Sequence, residues 1–297
     1  MHSASAGVEH LMLPCILEAP TLQLTNAKGC YSESLAEYAL FACNYFAKDL
    51  PRLMRSQSLR RWDAYDVEML KGKTMGIIGY GDIGQACARL ARAYKMQRMA
   101  GSLLSEQEPT SLESGATDGG PDLPSLRDGI TGAIEQRTSH RKRPPPNRFH
   151  VSGCADGQDK IYPPSEMAAL MAASDYVVMA TPYTPATHQM VNAEALSAMR
   201  PTAVFINIGR GKCVDEEALV AALMARKLRG AALDVFEVEP LPSHSPLWEM
   251  DNVLVSAHTA DRTKEFQFES MSFFMDNLDC YVRGKPLLSL VDIKAGY

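Results

Sequence analysis

The sequence predicts an α/β protein built on a doubly wound parallel sheet, with a second, smaller and incomplete domain. Short apolar runs alternate with helical patterns from residue 165 to residue 258, which is typical of parallel strands joined by helices. A glycine-rich turn at residues 79–84 stands between an apolar run and a helix of small residues. Such sheets bind ligands at the carboxyl ends of their strands. Three polar residues follow or end apolar runs in that way: Arg210, Asp234 and His258.

Before the glycine turn, the chain predicts one short strand and one long helix. Residues 22–26 alternate like a strand. Residues 34–54 repeat apolar side chains at helical spacing, and Ser34 with Glu37 has the spacing of a capping box at the start of the helix. We interpret this helix as a core element with no direct chemistry.

The glycine turn is flanked by the elements that a nucleotide-binding unit requires. Residues 75–78 form a continuous apolar run, typical of a buried parallel strand, and residues 85–94 predict the following helix. A second sheet strand is expected after this helix, but residues 96–104 are a poor candidate for it.

The second half of the chain returns to regular alternation. Helices are predicted over residues 165–173, 216–228 and 264–282. Strands are predicted over residues 175–180, 203–208, 230–236 and 252–258.

Residues 105–160 do not show the pattern of a folded segment. Glycine, serine, proline and charged residues dominate, so the segment has too little apolar area to offset the entropy of ordering, and we predict a disordered insertion. Residues 141–146 read Arg-Lys-Arg-Pro-Pro-Pro. An isolated basic run in a loop is usually only solvated, so we do not predict nucleic acid as a partner.

Composition and charge exclude several classes of protein. The chain has 297 residues, a formal net charge of −5, 46% hydrophobic residues and 22% charged residues, as in ordinary soluble globular proteins. This charge gives no general attraction to nucleic acid or anionic membrane. The seven cysteines are scattered, with no C-x-x-C or H-E-x-x-H, so we predict no metal site and a reduced, cytoplasmic compartment.

Residues 79–84 read Gly-Tyr-Gly-Asp-Ile-Gly, the spacing of a dinucleotide fingerprint. In that motif Gly79 allows the tight turn, Gly81 lets backbone N–H groups approach a pyrophosphate, and Gly84 lets the helix pack closely on the strand. The helix N-terminus adds free N–H donors for the phosphates. A glycine turn that binds no nucleotide is the alternative. A kinase glycine loop is excluded because neither H-R-D nor D-F-G follows.

Arg210, Glu239 and His258 together carry the groups that reduction of a 2-keto acid requires. Histidine can exchange a hydroxyl proton near neutral pH. A neighbouring carboxylate fixes its tautomer and stabilises the imidazolium. Arginine can hold a substrate carboxylate with two parallel hydrogen bonds and polarise the adjacent carbonyl. For His258 taken alone, a structural histidine is the simpler interpretation.

Four segments together resemble the D-isomer-specific 2-hydroxyacid dehydrogenase family. Residues 207–219 and 230–242 are similar to two signature segments of that family, residues 79–84 to its glycine motif, and residues 252–258 to its final histidine segment. The resemblance covers most of the chain outside residues 105–160. It implies a Rossmann-type fold and NAD-dependent interconversion of a small 2-keto acid and a D-2-hydroxy acid, with NADP left open.

The resemblance also implies a role for individual residues. It assigns the catalytic set as Arg210, Glu239 and His258, with Arg210 binding substrate and His258 as the acid/base. It assigns cofactor contacts to Gly79, Tyr80, Gly81, Asp82, Ile83, Gly84, Ser102, Thr181, Pro182, Ile208, Asp234, His258 and Ala260. It assigns substrate contacts to Ala6, Gly7, Val8 and Arg210.

Several features differ from the family pattern. Members normally carry a further strand–helix stretch before the loop at residues 5–8, which implies an N-terminally truncated member. The acidic residue expected about twenty positions after the fingerprint is absent, and Ser102 lies near that position, so neither NAD nor NADP is favoured. Residues 105–160 are longer than the usual connection, and Ala257 replaces a proline. The short start and the insertion together suggest an incomplete or mis-spliced gene product.

We therefore expect three parts: residues 1–33 as a remnant of the substrate domain, residues 34–261 as the NAD(P)-binding domain, and residues 262–297 as the return to the substrate domain. A reductase related to glyoxylate/hydroxypyruvate reductases or phosphoglycerate dehydrogenases, working as a homodimer away from membranes, is the expected function. A dinucleotide-sensing corepressor and a cofactor-binding pseudoenzyme are the alternatives.

Overall fold

The computed structural model describes residues 1–19, 21–101, 160–293 and 295–296. The insertion predicted over residues 105–160 lies outside the described residues except for its last one, and so does Ser102.

The strands of the described segments, numbered in chain order, fall into two parallel sheets. They are β1 (His2–Ser3), β2 (Thr25–Asn26), β3 (Thr74–Ile78), β4 (Gln97–Gly101), β5 (Lys160–Tyr162), β6 (Tyr176–Met179), β7 (Val204–Asn207), β8 (Gly230–Leu233) and β9 (Val253–Val255). The large sheet has seven parallel strands in the order β5-β4-β3-β6-β7-β8-β9. This confirms the predicted doubly wound fold.

Helices cover both faces of the large sheet. The described helices are α1 (Pro14–Leu17), α2 (Ser32–Ala47), α3 (Leu50–Ser58), α4 (Asp82–Ala93), α5 (Met167–Ala173), α6 (Ala193–Ala198), α7 (Glu216–Met224) and α8 (Phe266–Val282). Ile77 packs in the core beneath α2 and α4, whereas its neighbour Ile78 packs in the core beneath α5, α6 and α7. Successive residues of a strand face opposite sides, so a continuous apolar run such as β3 serves two cores at once.

The sheet reverses its direction of winding at β3. Ile78, the last residue of β3, pairs with Gly101 of β4 on one side and with Met179 of β6 on the other. The chain continues from β3 to α4 on one face and from β6 to α6 on the other, which opens a crevice at the carboxyl ends of these two strands. The glycine turn follows β3 directly into this crevice.

A small second unit lies beside the large sheet. β1 pairs in parallel with β2, and Val8, Leu24 and Val291 form a cluster of their own, which brings the two ends of the chain together. Of the strand predicted over residues 22–26, only Thr25–Asn26 forms a ladder. The predicted division at residues 33 and 261 stays a prediction.

The second strand of the large sheet lies where the sequence offered only a weak candidate. β4 forms over Gln97–Gly101. Its polar residues interrupt the apolar pattern by which a strand is predicted from sequence. Arg98 is buried, and its guanidinium donates to the carbonyl of Met96, so a charged residue occupies a strand position without exposing the strand. Pairing with β3 along all five residues of β4 outweighs the unfavourable local composition.

The helix predicted over residues 34–54 is two helices, and its capping box is wrong. The chain turns at Asp49, whose φ is +50°, and the Asp49 carboxylate accepts the N–H of Arg52 at the start of α3. α2 begins earlier than predicted, so Ser34 lies inside the helix. Its hydroxyl donates to the carbonyl of Ala260, 2.5 Å away, instead of capping.

Candidate active site

The three glycines of the turn at residues 79–84 are each required for a different reason. Gly79 has a φ of +95°, and a Cβ on it would lie 2.8 Å from the carbonyl oxygen of Ala180. A Cβ on Gly84 would lie 2.2 Å from the carbonyl oxygen of Gly79, so this glycine permits close helix packing. A Cβ on Gly81 would meet no atom within 4 Å. Two glycines are therefore needed by the fold, whereas Gly81 keeps a space open.

The N-terminus of α4 opens into that space. Gly81 is the N-cap of α4 and has no side chain to accept the first helical N–H groups. A helix start with free N–H donors and a positive dipole end is a site for an anionic group. Asp82 lies at the first helical position, where burial raises the pKa of its carboxyl against the opposing charges of Lys28 and Arg89.

His258 and Glu239 are in contact at the carboxyl edge of the sheet. His258 Nδ1 lies 2.8 Å from Glu239 Oε2, and the other carboxylate oxygen accepts the N–H of Phe236 at 3.0 Å. The histidine ring is 43% exposed to the cleft. Because Nδ1 is engaged by the carboxylate, Nε2 is the nitrogen available to exchange a proton with a molecule in the cleft.

Asp234 organises the loop that carries His258. Its backbone carbonyl accepts the N–H of His258 at 2.8 Å, and its buried Oδ1 accepts the N–H groups of Thr259 and Ala260 at 2.9 and 3.2 Å. His258 has a φ of +51°, a conformation that costs a non-glycine residue about 1–3 kcal/mol unless its surroundings hold it. Asp234 supplies that support. Within the described part of the chain, its Oδ2 accepts a hydrogen bond from Ala260 alone, so it retains room for a further donor.

Two residues of α2 complete this support, and sequence reasoning missed both. Tyr38 Oη lies 2.7 Å from Ser256 Oγ, which donates in turn to Asp234 Oδ1 at 2.7 Å. Ser34 holds the carbonyl of Ala260 from the same helix. Burial raises the pKa of Tyr38 to about 12, so the phenol stays protonated. In the sequence, their role was indicated only by the hydroxyl groups of Ser34 and Tyr38, which are four residues apart and so lie on one face of the helix.

Arg210 reaches across the cleft to the loop near the chain's N-terminus. Its Nε donates to Glu9 Oε1 at 2.6 Å, and Nη1 donates to the carbonyl of Gly209 at 2.8 Å. A Cβ on Gly7 would lie only 1.7 Å from Arg210 Nη2, so the guanidinium packs directly against the loop at residues 5–8. The structure thus places two predicted substrate residues side by side, Gly7 and Arg210.

Most of the other predicted residues line the same cleft. These are Ala6, Gly79, Tyr80, Gly81, Asp82, Ile83, Thr181, Pro182, Ile208 and Asp234. Val8 packs instead in the small cluster with Leu24 and Val291, Gly84 is buried beneath the turn, and Ala260 contributes its N–H to Asp234. Among the residues described, no three His, Cys, Asp or Glu side chains group as a metal site, and no helix is long and apolar enough to cross a membrane.

A family model matches the part of the chain that contains these site residues. The family model for the NAD binding domain of the D-isomer specific 2-hydroxyacid dehydrogenases matches residues 40–119 and 149–260. These ranges contain the glycine turn, Arg210, Asp234, Glu239 and His258. The match continues into both ends of the predicted insertion and leaves residues 120–148 unmatched.

Solved and curated relatives agree with the family model. A D-isomer specific 2-hydroxyacid dehydrogenase from Xanthobacter autotrophicus Py2, solved in complex with NADPH and MES, has a TM-score of 0.74 and 28% identity, covering 100% of this chain and 78% of that one. Glyoxylate/hydroxypyruvate reductase B of Shigella boydii serotype 4 is 32% identical over 213 residues, 72% of this chain and 52% of that protein. D-3-phosphoglycerate dehydrogenase of a Synechocystis species is 28% identical over 98% of this chain and 44% of that protein.

The chain therefore spans about half the length of the two named curated relatives. The family model nevertheless covers well over half of this chain and includes its glycine turn and its Arg, Glu and His residues. This protein belongs to the D-isomer specific 2-hydroxyacid dehydrogenase family.

Proposed function

We propose that this chain interconverts a small 2-keto acid and the corresponding D-2-hydroxy acid with NAD or NADP as cofactor. The observation that supports this most is the 2.8 Å contact between His258 and Glu239 in the same cleft as Arg210 and the glycine turn. A proton donor, a carboxylate-binding cation and an anion site at a helix start share one crevice, as hydride transfer to a keto acid requires.

The residues around the turn fit a dinucleotide. The open space at Gly81 and the uncapped start of α4 suit a pyrophosphate, and Oδ2 of Asp234 can accept a carboxamide N–H. We assign further cofactor contacts to the predicted residues that line the cleft, namely Tyr80, Asp82, Ile83, Thr181, Pro182 and Ile208. When bound, the nicotinamide supplies or accepts the hydride.

The protein's own residues supply binding and proton transfer. Arg210 holds the substrate carboxylate beside Gly7 and polarises the adjacent carbonyl. His258, protonated at Nε2, donates a proton to the carbonyl oxygen during reduction and takes it back during oxidation. Glu239 keeps the ring oriented through Nδ1 and stabilises the imidazolium.

The names of the relatives guide the choice of substrates. Glyoxylate and hydroxypyruvate are the first candidates, and the phosphorylated keto acid that corresponds to D-3-phosphoglycerate is the next. We further propose a cytoplasmic homodimer. Among the described residues, Cys15, Cys43, Cys87, Cys213 and Cys280 form no disulfide, which supports a reduced compartment. The exposed apolar side chains of Leu59, Trp62 and Met69 are candidates for contact with a second subunit.

Two variants test the mechanism. His258→Ala is expected to lower the reduction rate about 10²–10⁴-fold, the usual contribution of a positioned general acid, with cofactor affinity unchanged. Glu239→Gln removes the carboxylate charge beside His258 Nδ1, so it is expected to lower the reduction rate less than His258→Ala does, with cofactor affinity unchanged. Calorimetry with NADH and NADPH, and turnover of glyoxylate and hydroxypyruvate across pH 5–9, measure both effects.

Full activity of His258→Ala with the wild-type pH profile would contradict the proposed mechanism. If the wild type binds cofactor and turns over no keto acid, the chain is a cofactor-binding pseudoenzyme or a dinucleotide sensor instead.

A further inference from the structure

Arg210 has a charged partner that the catalytic set does not include. Glu9 follows the loop at residues 5–8, and its Oε1 accepts the Nε–H of Arg210 at 2.6 Å across 201 residues of sequence. Both side chains are partly exposed to the cleft, 28% for Arg210 and 36% for Glu9. The ion pair therefore lies within the proposed substrate site.

The contact fixes which edge of the guanidinium faces the cleft. Arginine has five N–H donors, of which Glu9 takes the one on Nε and the carbonyl of Gly209 takes one on Nη1. The other three have no acceptor among the described residues. Gly7 lies against Nη2 so closely that a Cβ there would overlap it, which prevents rotation toward the loop. The free donors are thus held in one orientation for a carboxylate.

Glu9 is ionised in this position. Partial burial is the largest single effect and pushes the pKa of the carboxyl upward. The charge and hydrogen bond of Arg210, together with a backbone hydrogen bond and the charge of His10, outweigh burial, so the pKa is lowered overall. Glu9 and Arg210 then balance each other, as Glu239 and a protonated His258 do. A keto acid with one carboxylate adds one negative charge to this neutral set, and a second anionic group on the substrate would add another close to Glu9.

We propose, resting on the proposed function, that Glu9 is a positioning residue for Arg210 and that its charge favours keto acids with a single negative charge. Glyoxylate and hydroxypyruvate would then be preferred to the phosphorylated keto acid. Other cations line the cleft, among them Lys212, Arg262 and Lys264. They are unchanged when Glu9 alone is substituted, so a comparison of variants isolates the effect of this carboxylate.

Glu9→Gln separates the two roles, because glutamine keeps an oxygen that accepts the Nε–H and loses the charge. Oxamate and oxalate have nearly the same shape and differ by one charge, and calorimetry on the NADH or NADPH complex measures their affinities. Glu9→Gln is expected to raise the affinity of oxalate relative to oxamate by about two- to thirty-fold. That range follows from two unit charges about 8 Å apart at effective dielectric constants of about 80 and 20. The kcat/KM ratio of oxaloacetate to glyoxylate should shift in the same direction.

Glu9→Ala removes the acceptor as well. It is expected to raise KM for glyoxylate more than Glu9→Gln does, with a smaller effect on kcat, because Arg210 loses its orientation while His258 is untouched. Asp251→Asn is the matched control, since Asp251 pairs with Arg226 on the surface away from this cleft, and it should leave both anion ratios unchanged.

The outcomes distinguish this inference from the proposed function. If glyoxylate is reduced but Glu9→Gln leaves both ratios unchanged, the role of Glu9 is refuted and the reductase remains. If no keto acid is reduced but the oxalate-to-oxamate ratio rises in Glu9→Gln, the charge selection stands and the reductase is refuted. If no keto acid is reduced and neither anion binds the wild type, both are refuted.

Discussion

Substituting Gly81 by valine should abolish tight cofactor binding without harming the fold. Gly81 has φ −78° and ψ −159°, an extended conformation open to any residue, and a Cβ there meets nothing within 4 Å. The added side chain would occupy the space where a pyrophosphate approaches the backbone. Losing one or two hydrogen bonds to a charged phosphate, each worth about 1.5–3 kcal/mol, weakens binding by about 1.5–6 kcal/mol in total. The Kd should therefore rise at least about tenfold, and about five-hundredfold at the centre of that range.

The free energy of unfolding of Gly81→Val should rise slightly or stay unchanged. At a position whose backbone is compatible, replacing glycine stabilises a protein by about 0.4–1 kcal/mol through the unfolded state. Gly84→Ala is the contrasting variant, since its Cβ would lie 2.2 Å from the carbonyl oxygen of Gly79. Gly84→Ala should lower the free energy of unfolding by about 1–3 kcal/mol. The melting temperature should fall by about 2–4 °C for each kcal/mol lost in a chain of this size.

Calorimetric titration with NADH and NADPH, together with thermal melting followed by circular dichroism, measures both quantities. Unchanged affinity of Gly81→Val for both cofactors would refute the dinucleotide site. A large loss of melting temperature in Gly81→Val would refute the reasoning that this glycine is kept open for a ligand.

Two further predictions concern groups around the site. Asp82→Asn should tighten cofactor binding a few-fold at pH 8, because the carboxylate at the start of α4 repels phosphate. Burial raises the pKa of Asp82 above the usual range of an Asp carboxyl, so lowering the pH toward 4 should protonate it and shrink the difference between variant and wild type. Calorimetry at each pH measures this difference. Tyr38→Phe should lose about 0.5–1.5 kcal/mol of stability and some kcat, because Ser256 loses its partner. The pKa of Tyr38 is about 12, so its loss should leave the pH profile of activity unchanged in shape.

The parts of the site that lie in local motifs were predictable from the sequence. The glycine turn can be predicted because a strand, a turn and a helix follow one another within about twenty residues, and each has a recognisable pattern. Arg210, Asp234 and His258 were found because each ends or follows an apolar run, and parallel strands bring such ends to one edge. Local chemistry and sheet geometry were sufficient for these residues.

Contacts between distant segments were not predictable. Tyr38 meets Ser256 across 218 residues, and Glu9 meets Arg210 across 201, and no spacing in the sequence links either pair. β4 was missed as a convincing strand for a related reason. Its stability comes from pairing with β3 and β5 on either side, not from its own composition.

α2 connects the two halves of the site, although it contains no motif. One face of α2 packs in the same core as α4, whose start forms the proposed phosphate site. Near its own start, Ser34 and Tyr38 hold the loop that carries His258. A substitution that loosens the packing of α2 should therefore weaken cofactor binding and proton transfer together, whereas changes at Gly81 or His258 affect one each. Loss of both cofactor binding and proton transfer, caused by a residue that touches neither ligand, is the behaviour expected of a supporting helix. The sequence predicted α2 as a core helix without direct chemistry, and its function in both processes is indirect.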